Sequence, residues 1–176
     1  CGNSRFGCWT CTVVTKDRAM ESLVQNGEEW MKPLLNLRNK LAATTVIEDK
    51  GKYRSHIRRN GRMAFKTLTV DGKKEMTEGY TYGPYLLSFR QQFLKELLET
   101  QKQISEVSKE TELVTVPELH AIRHQWLNDP NEPDWEDSLP KIFHDIFGLD
   151  LYWSIDDTNQ FRHQEAKQLN YISPND

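Results

Sequence analysis

Gly83-Pro84-Tyr85-Leu86-Leu87-Ser88-Phe89-Arg90-Gln91-Gln92-Phe93-Leu94-Lys95-Glu96-Leu97-Leu98, with its continuation through Ile104, decides the fold class. Pro84 suits a first helical turn, where its missing N–H would have no intrahelical acceptor. Leu86, Leu87, Phe93, Leu94, Leu97, Leu98 and Ile104 recur at helical spacing, which predicts a long helix running to about Ser108 with one apolar face. Most of the stability of such a helix comes from packing that face, so further apolar faces are expected on either side of it.

Downstream, Thr115 and Glu118 have capping-box spacing, with Pro117 in the first turn of a helix that carries Leu119, Ile122 and Trp126 and stops at Asp129-Pro130. Asp134 is placed to cap another helix bearing Leu139, Ile142, Phe143, Ile146 and Phe147, and Gly148 sits where a left-handed residue ends helices. Upstream, Met20, Leu23 and Val24 fit a short helix from Lys16 to about Asn26. Trp30, Leu34, Leu37 and Leu41 form the stripe of a second helix beginning near Glu28, with Pro33 tolerable only near its first turn. Between Thr44 and Val70 the helical period disappears, Asn60-Gly61 is a hairpin signal, and Phe65, Thr67 and Thr69 alternate with Ala64, Lys66, Leu68 and Val70.

The expected fold is therefore mainly α with a small β insert. Its parts are a cysteine-rich segment 1–15, a helical segment 16–43, a basic β or irregular insert 44–78, a helical region 79–148 and a polar tail 149–176. A short helix around Glu165 and Leu169 is the most the tail is expected to hold. The chain is polar for a globular protein, with 37% hydrophobic residues and a mean hydropathy of -0.73, so part of its surface is expected to be covered by a partner or a further domain. No run approaches the ~18 apolar residues of a membrane span, so no membrane partner and a cytoplasmic location are expected. The sequence opens on Cys1, which we read as the start of a piece of a longer reading frame.

All three cysteines, Cys1, Cys8 and Cys11, fall in the first eleven residues. An odd count packed so tightly does not suit a disulfide scaffold and points to a reducing compartment and a metal. The Cys8-Trp9-Thr10-Cys11 part lets thiolates face one soft metal centre from a tight loop. Iron-sulfur clusters usually take four cysteines. Three here imply a ligand upstream, a non-cysteine ligand, or an iron left open to bind sulfide. Arg5 is a candidate hydrogen-bond partner of a cluster, Gly2 and Gly7 allow close backbone approach, and Phe6 and Trp9 are candidates for limiting solvent access. A structural zinc site with a histidine ligand, a redox dithiol and unligated structural cysteines are the competing readings.

The string Cys1-Gly-Asn-Ser-Arg-Phe-Gly-Cys8-Trp-Thr-Cys11-Thr-Val-Val14 resembles the cysteine segment of the DndC family of DNA phosphorothioation sulfurtransferases, within the phosphoadenosine-phosphosulfate reductase superfamily. Asp17, Met20, the run from Trp30 to Leu35, Arg38, and Gly83-Pro84-Tyr85 leading to Arg90 look like family features. The similarity covers residues 1 to about 105 well and the rest loosely. It implies the C-terminal fragment of an α/β nucleotide-binding protein of the adenine nucleotide hydrolase type. It also implies a [4Fe-4S] cluster with Cys1, Cys8 and Cys11 as ligands, and the replacement of a non-bridging DNA phosphate oxygen by sulfur. Implied partners are DNA, a cysteine desulfurase and other phosphorothioation proteins. The Ser-Gly-Gly-type pyrophosphate loop that grips ATP in this superfamily has no counterpart in the sequence, and neither does a Walker-type lysine loop. ATP and Mg are thus expected in a missing N-terminal domain, and this fragment alone is expected to be inactive. A sulfonucleotide reductase, a tRNA-thiolation relative and a zinc-stabilised, non-catalytic DNA-binding module are the alternatives.

Residues 50–66 hold seven of the chain's 23 Lys and Arg residues and no acid, although the whole chain carries -3. Within this insert Lys52, Arg54, Arg58, Arg59 and Arg62 are the candidate phosphate contacts, opposed by the reading of a solvated loop or a patch paired with the acidic half from residue 110 onward. Tyr80, Tyr82 and Tyr85 are able to stack on a base, or to pack in a core. His120 and His124 have a metal-sharing spacing without an evident third ligand. No nucleophile triad or carboxylate pair is legible, so no residue is assigned a catalytic role.

Overall fold

A computed structural model of the chain describes residues 9–108 and 111–154. In order it contains α1 (Arg18–Gln25), a 3₁₀ turn (Glu29–Met31), α2 (Lys32–Ala43), the single-turn α3 (Lys50–Tyr53), β1 (Phe65–Val70), β2 (Lys73–Tyr80), α4 (Leu87–Ser105), α5 (Val116–Leu127) and α6 (Ser138–Phe147). The architecture is mainly helical with one two-stranded antiparallel sheet, as the hydrophobic pattern leads one to expect. Among the described residues no helix is long and apolar enough to cross a membrane.

The chain divides into two compact units, Cys1–Leu113 and Val114–Asp176. That boundary lies inside the 79–148 region expected from the sequence. Helical spacing is the same on both sides of it, so periodicity alone carries no mark of the division.

In the first unit the Asp17 carboxylate accepts the Met20 N–H at 3.1 Å and starts α1, and Gly27, at φ 110, turns the chain after it. Pro33 occupies the first turn of α2. Met20, Leu34 and Ile104 form a buried cluster, and Trp9, Trp30, Met31, Leu35 and Leu113 pack around it. Trp9 thus has a packing role, holding the cysteine-rich segment against the core formed by α1, α2 and the end of α4.

The sheet's hairpin does not use the Asn60-Gly61 signal. Its strands are joined at Asp71-Gly72, whose φ values of 48 and 76 fit the two-residue loop between the paired Val70 and Lys73. Asn60-Gly61 instead shapes a smaller turn closed by an Ile57–Met63 bridge, with Gly61 N–H donating to the Arg58 carbonyl at 2.8 Å. Both dipeptides are good turn formers, but only Asp71-Gly72 is flanked by extended runs long enough to build a ladder.

In the second unit Thr115 and Glu118 form the expected capping box. The Glu118 carboxylate accepts from the Thr115 N–H and hydroxyl, each at 2.8 Å, while the Thr115 hydroxyl oxygen accepts the Glu118 N–H at 3.4 Å. These bonds, the backbone one first, hold the exposed Glu118 carboxyl below its ordinary value of 4.5. A lowered folded pKa means stabilisation that is complete above 4.5 and is lost as pH falls through the folded value. Glu118→Gln is accordingly expected to melt below the wild type at neutral pH and to converge with it as acid protonates the folded carboxyl, as followed by circular dichroism.

α6 is capped from outside its N-cap residue. The Asp134 carboxylate accepts the Ser138 N–H and hydroxyl, each at 2.8 Å, which is the capping role expected of it, executed from four residues upstream. Asp137, the residue before the helix, is left-handed at φ 50, and its carboxylate receives Arg123 Nε at 2.8 Å and Nη2 at 2.6 Å. Gly148, at φ 70, ends α6 as its residue type predicts.

Candidate functional site

The cysteine segment enters the described residues at Trp9, and its backbone is held by one buried cation. Arg38 lies on α2 at helical spacing from Leu34 and Leu41, on a face that is otherwise apolar, and is fully buried. Its Nε and Nη2 donate to the Cys11 carbonyl at 3.2 and 2.9 Å, and Nη2 also donates to the Val14 carbonyl. Nη1 donates to the Thr15 carbonyl at 2.9 Å and to Asn39 Oδ1 at 3.1 Å. Every N–H of the guanidinium is engaged, so the burial of the charge is matched by a cage of carbonyl dipoles. The signal was present in the sequence as an arginine in a leucine stripe, but its carbonyl targets lie 23 to 27 residues away.

Cys1, Cys8 and Arg5 lie outside the described residues. Cys11 is half-buried and is not in a disulfide. A thiol at the clamped end of the loop has the donor chemistry that iron-sulfur clusters and zinc both use, so Cys11 fits either as a ligand. Among the described residues no group of three or more His, Cys, Asp or Glu side chains gathers as a metal site. His120 packs its ring 5.2 Å from that of Trp153, and His124 is exposed one turn away.

The basic insert is sorted by the fold into different roles. Lys52 is exposed and pairs with Asp49 at 2.6 Å; that hydrogen bond, with the carboxylate's charge, holds its pKa above the ordinary lysine value. Arg54 lays its guanidinium 4.0 Å over the Tyr85 ring and donates to the Gly83 carbonyl at 3.2 Å. Arg58, Arg59 and Arg62 are exposed on the small turn. A cavity of about 370 Å³ is lined by Arg54, Arg58, Arg59, Asn60, Tyr82, Gly83 and Pro84. It therefore gathers three of the five predicted phosphate contacts, while Lys52 and Arg62 are not part of its lining.

Backbone pairing builds this cavity. Gly83 N–H donates to the Ser55 carbonyl at 2.7 Å, Ser55 N–H to the Pro84 carbonyl at 2.9 Å, and Leu86 N–H to the Tyr53 carbonyl at 2.9 Å. The approach is so close that a Cβ on Gly83 would lie 1.9 Å from the Ile57 carbonyl oxygen.

No family model matches the chain, and no curated protein or solved structure does.

The tyrosines divide as well. Tyr85 is structural: its hydroxyl lies 2.7 Å from that of Thr44, and its ring stacks 4.9 Å from Phe89. Tyr80 contacts His56 and Phe65 at the base of the hairpin, with ring centroids at 5.0 and 5.1 Å. Only Tyr82 reaches the cavity wall, backed by His56 with ring centroids 5.3 Å apart. Asn60, Gly83 and Pro84 complete the lining without having been singled out as contacts; Pro84 does not open the long helix as expected, since α4 begins at Leu87 and the Pro84 carbonyl is taken by the Ser55 N–H.

Proposed function

We propose that the chain is the cysteine-bearing, DNA-contacting part of an iron-sulfur sulfurtransferase of the DNA phosphorothioation type, a member of the phosphoadenosine-phosphosulfate reductase superfamily with an α/β nucleotide-binding origin. The reading rests on the resemblance of the segment from Cys1 to Val14. The observation that supports it best is the gathering of Arg54, Arg58 and Arg59 into one cavity within the same unit as that segment. A protein that exchanges an oxygen of a phosphodiester needs a cationic seat for the phosphate and a soft donor for sulfur, and the chain carries candidates for both.

In the reaction so proposed, ATP transfers its adenylyl group to a non-bridging phosphate oxygen and releases pyrophosphate. Sulfide then displaces that oxygen as AMP, leaving a P–S bond in place of P–O. When bound, the cluster supplies the sulfur in reduced form. This chain's own residues have simpler tasks. Arg58 and Arg59 neutralise the phosphodiester, Arg54 fixes the wall they project from, and Arg38 holds the backbone that presents Cys11. The adenylating loop, with ATP and Mg, belongs to sequence other than this; a cysteine desulfurase is the proposed sulfur source, and its persulfide sulfur reaches the sulfide level by taking two electrons from a cellular thiol, which leaves as the disulfide.

Anaerobic iron and sulfide reconstitution tests the assignment. The wild-type chain is expected to turn brown, with a broad charge-transfer absorption that Cys11→Ser and Cys8→Ser abolish or diminish. Cells carrying either variant in the full protein are expected to lose phosphorothioate from their DNA. A colourless protein holding zinc would identify the zinc-stabilised binding module instead. Unchanged DNA modification in both variants would remove the cysteines from the reaction.

A further inference from the structure

We infer that the cavity between the 57–63 turn and residues 82–84 is a nucleotide site that takes one phosphodiester, together with its adjoining unstacked nucleoside, from a single DNA strand. That the strand is DNA rests on the function proposed above; the preference for an unpaired nucleotide is carried by the cavity itself. Arg58 and Arg59 are exposed and line it together with Arg54, and no carboxylate is among its lining residues. A phosphate there meets concentrated positive charge.

The shape of the site separates one strand from two. Duplex backbone contacts are spread along a surface, and duplex bases show their faces only to each other. Here the cations surround a concavity with an aromatic ring, Tyr82, in its wall. An aromatic face beside phosphate-binding cations becomes useful only when a base has left the stack. The seat is also fixed in advance. Arg54 is held by the Tyr85 ring and the Gly83 carbonyl, and the turn is tied down through Ser55 to Gly83 and Pro84, so the backbone that carries Arg58 and Arg59 needs little ordering on binding.

Fluorescence anisotropy with a labelled single-stranded DNA, its duplex and the single-stranded RNA of the same sequence tests this on the whole chain. The single strand is expected to bind at least about fivefold tighter than the duplex, the lower end of what one base–aromatic stack contributes. Tyr82→Leu should abolish that preference and Tyr82→Phe retain it. Arg58→Gln and Arg59→Gln should each weaken binding and reduce the slope of log K against log salt by about 0.7. Arg58 is exposed, so Arg58→Gln is expected to keep the wild-type melting temperature, and a melt of each variant separates lost binding from lost fold. Cys11→Ser should bind as the wild type does; failure of iron incorporation alongside intact single-strand binding would therefore defeat the sulfurtransferase reading and leave the site standing. Equal affinity for strand and duplex, or a preference that survives Tyr82→Leu, would overturn the inference. Tighter binding of the RNA than of the DNA would overturn the choice of DNA.

Discussion

Arg38→Met is expected to lower the unfolding free energy by about 3 kcal/mol and to free the loop from Cys11 to Thr15. Methionine fills much of the arginine's volume but has no donors, so the carbonyls of Cys11, Val14 and Thr15 lose the partner that ties them to α2. Removing a buried cation also removes its desolvation cost, which offsets part of the loss. The acceptors left behind decide the sign: these bonds are part-buried, and an acceptor kept from water without a partner costs about 1–3 kcal/mol, which the carbonyl of the exposed Thr15 escapes. Arg38→Lys is expected to recover only a minor part, since one ammonium cannot reproduce the planar fork that meets three carbonyls at once. Urea unfolding gives the stability change, and hydrogen exchange at residues 11–17 reports the loop separately. Faster reaction of Cys11 with a thiol reagent under native conditions should accompany it. Wild-type exchange rates in Arg38→Met would show that the loop is held by something else.

Gly83→Ala is expected to cost at least as much, for a steric reason. The added methyl would stand 1.9 Å from the Ile57 oxygen, 2.8 Å from its carbonyl carbon and 3.2 Å from Arg58 Cα, all backbone atoms that no rotamer change can move. Relief requires residues 55–58 and 83–86 to separate, which breaks the hydrogen bonds between them and the Arg54 contact with the Gly83 carbonyl. Overpacking alone costs about 1–3 kcal/mol, and the broken bonds add to it. Gly51→Ala is the informative contrast. Its Cβ would meet the Tyr82 hydroxyl at 2.9 Å, the far end of a side chain that can shift, so a change below about 1 kcal/mol is expected. Thermal melts distinguish the two, and Gly83→Ala should also lose single-strand binding because Arg58 and Arg59 ride on the displaced turn.

The helices were legible because their signals are local. Pro33, the Thr115–Glu118 box and Gly148 act within a turn of the chain, and the leucine spacing of α2 and α4 declares which face is buried whatever it is buried against. The hairpin was legible in kind but displaced in position, since two turn-forming dipeptides lay within one short insert and only strand pairing chose between them. The list of phosphate contacts was legible as a charge cluster. Lys52 and Arg62 could not be separated from Arg54, Arg58 and Arg59 until the lining of the cavity was known.

Composition, period and caps determined by themselves that this chain is mainly helical, with a small basic β insert and a cysteine-rich beginning. Tertiary structure alone decided that Arg38 is the clamp of the cysteine loop, that residues 53–55 pair with 83–86, and that the chain divides after Leu113. The physical reason is range. Periodicity and capping are set by neighbours a turn apart, whereas a carbonyl cage, a backbone approach and a unit boundary depend on which distant segments meet, and no local pattern records that meeting.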